Sequence, residues 1–222
     1  MKARLIATFL VLCTAPLLAQ APASASAPAP APAPATQTHA SDLGFSYSLP
    51  TDWQVIDSSA SLPAVQQQVT KNAATEDEKK GIGCVQIALT ARHGTPATVV
   101  VVVGLPFDCF GQQMTSKDLP GFATGASEGL KQTFDISDPV YGAYSLGTHD
   151  LWIERAKGIP KGHPESLYTV EIACSLLKKG AVCWMTMAAD DEGLKTFEHG
   201  AVTLDGEAPA ALVPTTAFDK KP

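Results

Sequence analysis

From Phe45 onward the chain alternates between a two-residue and a helical hydrophobic period. Phe45–Leu49 (FSYSL) alternates and stops at Pro50, and Trp53–Ile56 (WQVI) follows, which predicts a short hairpin. Behind Ser61 and Pro63, the residues Leu62, Val65, Val69 and Ala73 recur at helical spacing. Thr75–Gly83 (TEDEKKGIG) is charged and ends in glycines, the composition of a surface loop. Val85–Ala91 (VQIALTA) alternates as a strand. After a turn at His93–Pro96, Ala97–Val103 (ATVVVVV) is apolar on both faces, which predicts a central strand covered on both sides. Thr115–Asp118 heads a helical stripe of Leu119, Phe122, Ala123, Ala126, Leu130 and Phe134. Pro139–Leu146, His149–Ala156, Leu167–Leu176 and Ala181–Met187 read as four successive strands, and Asp190 caps a last helix carrying Leu194, Phe197 and Ala201. Runs of strands broken by single helices predict an α+β fold, an antiparallel sheet flanked by helices.

The two ends differ from this pattern. Lys2 and Arg4 precede the apolar run Leu5–Ala19, which has the length of a signal core rather than of a membrane span. We expect a signal peptide at 1–19, cleaved after Ala19. Cys13 follows bulky Val11 and Leu12, against a lipidated cysteine. The tract APASASAPAPAPAPA at 21–35 withholds every second backbone donor and runs extended as a spacer, so 20–40 reads as an Ala/Pro-rich linker. The globular domain is expected at 41–205 and a flexible tail at 206–222. Of 222 residues, 45% are hydrophobic, enough for one well-cored domain. The net charge is -6, and loss of Lys2 and Arg4 leaves 14 basic against 22 acidic residues. That balance argues against nucleic acid as a partner.

Five cysteines become four once Cys13 leaves with the signal. An even number in an exported chain implies two disulfides. If Leu177–Gly180 is a four-residue loop, Leu176 faces Ala181 and Cys174 falls directly opposite Cys183, within bridging distance. Cys84–Cys109 then follows by elimination. In the same hairpin Val170, Ile172, Cys174, Ala181, Cys183, Met185 and Met187 share one apolar face, which should meet the helices, while Trp184 points the other way beside Ala173. The cysteine spacings contain no C-x-x-C, so a metal site is not expected of them.

The opening FSYSLPTDW at 45–53, the closing LYTVEI at 167–172, then Trp184 and the segment from Leu194 to Leu204 resemble the start and end of domains with the PsbP-like fold. That fold is named for an accessory protein of photosystem II. The resemblance covers about 160 residues, from Asp42 to Leu204. It implies an α/β/α sandwich and a binding or accessory role, since most members bind without catalysing. Cys84, Cys109 and the segment 153–163 depart from its pattern, and no binding residue carries over.

Four groups of residues have candidate chemistry. Gly125-Ala126-Ser127-Glu128-Gly129 fits G-x-S-x-G, a nucleophile elbow if a strand precedes it. The helical stripe running through it favours small residues that let a helix pack close to a sheet. His93, His149, His163 and His199 are scattered, with Asp190, Asp191 and Glu192 as the remaining ligand types, and no paired-ligand spacing forms. Trp152, Trp184, Arg155 and Tyr168, with Tyr141 nearby, would form an aromatic binding patch if one sheet face is open. Lys157–His163 is a basic, glycine-rich loop. The function expected is an exported non-catalytic binding or accessory domain of the cell envelope. Its partner would be an envelope protein or a small ligand, with no cofactor, no nucleic acid and no membrane span in the mature chain. The alternative is a secreted serine hydrolase using Ser127, or a metal-dependent enzyme.

Overall fold

The computed structural model describes residues 35–57, 67, 76–94, 97–109, 114–191, 193–196 and 201–215. The signal peptide, the Ala-Pro tract up to residue 34 and the helix expected after Ser61 lie outside the described residues. The strands are β1 (Thr36–Ala40), β2 (Phe45–Pro50), β3 (Gln54–Val55), β4 (Gln86–His93), β5 (Thr98–Pro106), β6 (Phe134–Leu146), β7 (His149–Pro160), β8 (Tyr168–Leu176), β9 (Gly180–Ala188), β10 (Val202–Leu204) and β11 (Leu212–Thr215). Among the described residues the helices α1 (Glu76–Cys84) and α2 (Leu119–Leu130) interrupt them.

Among the described residues every pairing is antiparallel, in two sheets. The large one has the order β11-β6-β7-β8-β9-β5-β4-β3, the small one β1-β2-β10. Alternation in β2 buries Phe45, Tyr47 and Leu49, which meet Val100, Val102, Ile153, Ala173 and Trp184 of the large sheet. The opposite face of the large sheet carries α2, whose Leu119 and Ala123 pack against Trp152, Ile172, Cys174, Cys183 and Met187. The expected helix-flanked arrangement therefore describes one face. On the other, the described cover is a second sheet, because β2 and β10 both present apolar residues at period two. Strand β5 meets both layers, Val100 and Val102 on one side and Val99, Val101 and Val103 on the other, as its unbroken valine run requires.

Several elements differ from the sequence expectation. Strands β2 and β3 are not a hairpin: β2 pairs with β1 and β10, whereas β3 pairs with β4. A turn closed by Trp53 N–H on the Pro50 carbonyl at 3.1 Å carries the chain from one sheet to the other. Segment 76–84 is a helix rather than a loop, with Lys79 Nζ 2.6 Å from Glu76 Oε1 one turn away. The stripe of α2 ends at Leu130, and Phe134 already belongs to β6. Strand β7 runs on to Pro160, so only Lys161–Gly162 turn, with Gly162 at φ +87°. Of the expected last helix the described part is a 3-10 turn at Gly193–Thr196, and Phe197 lies outside the described residues. Beyond it Ala201 accepts a hydrogen bond from Ser48 N–H and leads into β10. Sheet structure also reaches past the expected 41–205 at both ends, through β1 and through β11 on β6. Among the described residues no helix is long and apolar enough to cross a membrane.

Candidate functional site

The β8–β9 register places one cysteine pair, and the end of α1 meets the turn after β5 at the other. Leu176 faces Ala181 and Cys174 faces Cys183, with Cα atoms 4.1 Å apart and the sulfurs bonded. Cys84, at the end of α1, is bonded to Cys109, in the 3-10 turn after β5, with Cα atoms 5.8 Å apart. Trp184 lies beside Ala173 on the face away from Cys183.

Beneath the last turns of α2 the packing opens into a cavity of about 150 Å³. Its floor comes from β7, where Trp152 and Glu154 share the face that meets α2. Across the ladder Glu154 is paired with Tyr141 of β6 and with Ile172 of β8. Ser127 faces inward from α2 and donates its hydroxyl to Glu154 Oε1 at 2.9 Å. Both residues are buried, Glu154 at 4% and Ser127 at 5% exposure. The wall is Ile136 and Pro139, on either side of a β-bulge between Ser137 and Val140 where Asp138 takes φ +53°. At the rim Lys131 Nζ sits 2.5 Å from Glu128 Oε1, both half in solvent.

Burial pushes the Glu154 carboxyl above the ordinary glutamate range, against the Ser127 hydrogen bond and the nearby Lys131 charge, which pull it down. Burial also raises the Tyr141 phenol, and the Glu154 charge adds to that. The hydrogen bond that Lys131 donates to Glu128 raises the Lys131 ammonium. The site is therefore a carboxyl held out of water, next to a hydroxyl and a phenol, with one ion pair at its entrance.

Ser127 is in the third turn of a helix, not at a strand-to-helix elbow, and its partner is a glutamate. Three described histidines pair with carboxylates elsewhere, and His39 lies in β1 of the small sheet. His149 Nε2 is 2.9 Å from Asp205 Oδ2, His93 Nε2 is 2.9 Å from Asp52 Oδ2, and exposed His163 faces Glu165 at 3.4 Å. Strand parity puts His149 with Leu151 and Ile153, on the sheet face opposite Glu154. A mid-helix serine lacks the strand-to-helix turn of an elbow, and His93, His149 and His163 are each paired with a carboxylate instead. His199 and Glu192 lie outside the described residues. Among the described residues no group of three His, Cys, Asp or Glu could hold a metal ion.

The residues of the expected aromatic patch are divided between the two faces of the large sheet. Trp152 packs toward Tyr141 under α2, ring centroids 6.0 Å apart, whereas Trp184 meets Phe45 edge-on in the core between the sheets. Arg155 is on the Trp184 side of the sheet, with Nε 2.6 Å from Glu171 Oε2. Tyr168 meets Phe134 edge-on at 6.2 Å. Both tryptophans are buried, so neither offers a binding surface. The glycines of α2 differ from expectation too. A Cβ at Gly121, Gly125 or Gly129 would meet nothing within 4 Å, so they face outward, and Ala123 and Ser127 form the close contact with the sheet.

A second polar cluster ties loops together. Asp205, at φ +49°, accepts from His149 and from the Lys178 N–H, and its own N–H donates to the Gly44 carbonyl. Glu207 accepts from the N–H and hydroxyl of Thr148, which hold its carboxyl below the ordinary range.

No protein-family model and no curated protein matches the chain. Eight solved chains match. One is the solution structure of cyanobacterial PsbP (CyanoP) from Synechocystis sp. PCC 6803. It is 9% identical with a TM-score of 0.43, over 81% of this chain and 98% of that one. The chain thus bears a weak PsbP-like resemblance in its fold.

Proposed function

We propose that this chain is an exported, non-catalytic binding domain of the cell envelope, and that a small ligand enters the cavity under α2. The observation that carries the reading is Glu154, a carboxyl buried to 4% exposure that lines a cavity and, among the described residues, has no cation in direct contact. A buried ionisable group is costly, and pockets where a few polar groups converge on apolar walls are where proteins hold ligands. The two disulfides support folding in an oxidising compartment. The Ser127 hydroxyl donates to the Glu154 carboxyl, and among the described residues no histidine is hydrogen-bonded to it, which favours binding over hydrolysis.

The test is a protein-observed NMR screen of the disulfide-intact chain against a library of small polar compounds. Binding should shift the amides of Ser127, Tyr141 and Glu154 together, and Glu154→Ala should abolish it. Hits that cluster elsewhere and survive the substitution would move the site. Ester hydrolysis that is lost on Ser127→Ala would replace the reading with the hydrolase.

A further inference from the structure

We propose that the cavity under α2 receives a primary alkylammonium group, seated on Glu154. This deepens the binding reading and rests on it. The charges facing the cavity are Glu154 from β7 and Glu128 and Lys131 from α2, with the Tyr141 phenol from β6; the β8 residue paired with Glu154 is Ile172. Two carboxylates stand against one ammonium. Lys131 is held by Glu128 at 2.5 Å at the half-exposed rim, so among the described residues the floor carboxylate has a cation nearby and none in direct contact.

The donor count agrees. An ionised carboxylate has about four lone-pair positions. Among the described contacts of Glu154, the Ser127 hydroxyl supplies one donor. An ammonium brings three donors and no acceptor, so it can take the open positions of Glu154, and the phenol lining the same space offers an oxygen or a ring face. A carboxylate or phosphate ligand would instead face Glu154 with like charge.

Size and polarity narrow the class. A volume of 150 Å³ corresponds to about five liquid-water volumes, at roughly 30 Å³ each, which suits an ammonium with a short alkyl chain. Ile136 and Pro139 give that chain an apolar wall. A quaternary ammonium has no N–H to donate and fits the oxygen-lined floor poorly. The group can belong to a free amine or to the end of a partner's lysine side chain, and the chemistry is the same.

The experiment titrates the disulfide-intact protein with n-butylammonium, 1-butanol and butyrate, all of similar size. Butylammonium should shift the Ser127, Tyr141 and Glu154 amides saturably, and the other two should not. Glu154→Gln keeps shape and hydrogen-bonding capacity, and should weaken butylammonium by roughly tenfold or more with the spectrum otherwise native. Lys131→Met removes a like charge from the rim and should tighten it. N-acetyl-lysine methylamide separates the sources. Tighter binding than butylammonium assigns the group to a lysine side chain, weaker binding to a free amine, and either supports the proposal. Equal butylammonium affinity in Glu154→Gln overturns it. Binding of butanol or butyrate at these amides with butylammonium inert overturns the ligand class and leaves the binding site standing. Silence from all probes, with library hits at the same amides, does the same; silence from the library as well removes the site.

Discussion

Glu154 carries its consequence in its titration. Its native carboxyl is raised by burial, so the folded chain holds that proton more tightly than the unfolded chain does. A raised carboxyl stabilises below the ordinary glutamate value, and that contribution is lost as pH climbs through the elevated native value. Denaturant midpoints of the wild type and Glu154→Gln, measured from pH 4 upward, should therefore diverge, with the wild type losing ground as pH rises. Removing the neighbouring donor in Ser127→Ala should cost about 1–3 kcal/mol once the carboxylate is ionised. Parallel profiles for wild type and Glu154→Gln would mean that Glu154 is solvated in solution. How far this site could be read from sequence depends on the residue. Ser127 stands out through G-x-S-x-G, a pattern that names an elbow, whereas the physics that places it is a small side chain on the inner stripe of α2. Glu154 is legible only as the residue sharing a strand face with Trp152. Its burial depends on α2 crossing above, and the bulge at Asp138–Pro139 has no period to betray it.

At the scale of elements, period two proved more informative than composition. The hairpin β8–β9 follows from counting a four-residue loop, because one shift in register would carry every side chain to the other face. Partner choice is not written in a strand: Trp53–Ile56 alternates equally well whether it folds back on β2 or joins β4, and burial of Trp53 on His93 decides. Composition misled at 76–84, where charge and glycine suggested a loop and the chain forms α1. Glycines show the same gap between residue type and environment. Gly125 faces open space in α2, so Gly125→Ala should raise stability by about 0.5–1 kcal/mol by restricting the unfolded chain and favouring the helix. Gly180 opens β9 against β5, where a Cβ would fall 2.6 Å from the Leu105 carbonyl oxygen and 3.2 Å from Pro106 Cα. The β5 backbone cannot yield as a flexible side chain would, so Gly180→Ala should cost about 1–3 kcal/mol. Thermal melts of the two variants should move in opposite directions, and two shifts of the same sign would contradict the environments described.

Across the whole molecule, the two disulfides fasten different things to the large sheet. Cys174–Cys183 joins adjacent strands already paired in register, and both sulfurs are buried under α2, at 0% and 2% exposure. Cys84–Cys109 joins the end of α1 to the turn after β5, across a sequence separation of 25, and Cys109 is only half-buried. Closing that loop removes more freedom from the unfolded chain, about 3–4 kcal/mol against about 2–3 kcal/mol for the shorter one. Access and contribution are thus set against each other: the bridge that stabilises more is the one a reductant reaches first. Mild reductant under native conditions, followed by alkylation and peptide mass analysis, should first give a species labelled at Cys84 and Cys109 alone. That species should melt at lower temperature while keeping the β8–β9 core. Labelling of all four cysteines should appear only under conditions that unfold the sheet. Simultaneous labelling of both pairs would mean that α2 leaves the sheet as readily as the Cys109 turn opens, and the cavity beneath α2 would then lack the rigid roof its ligand requires.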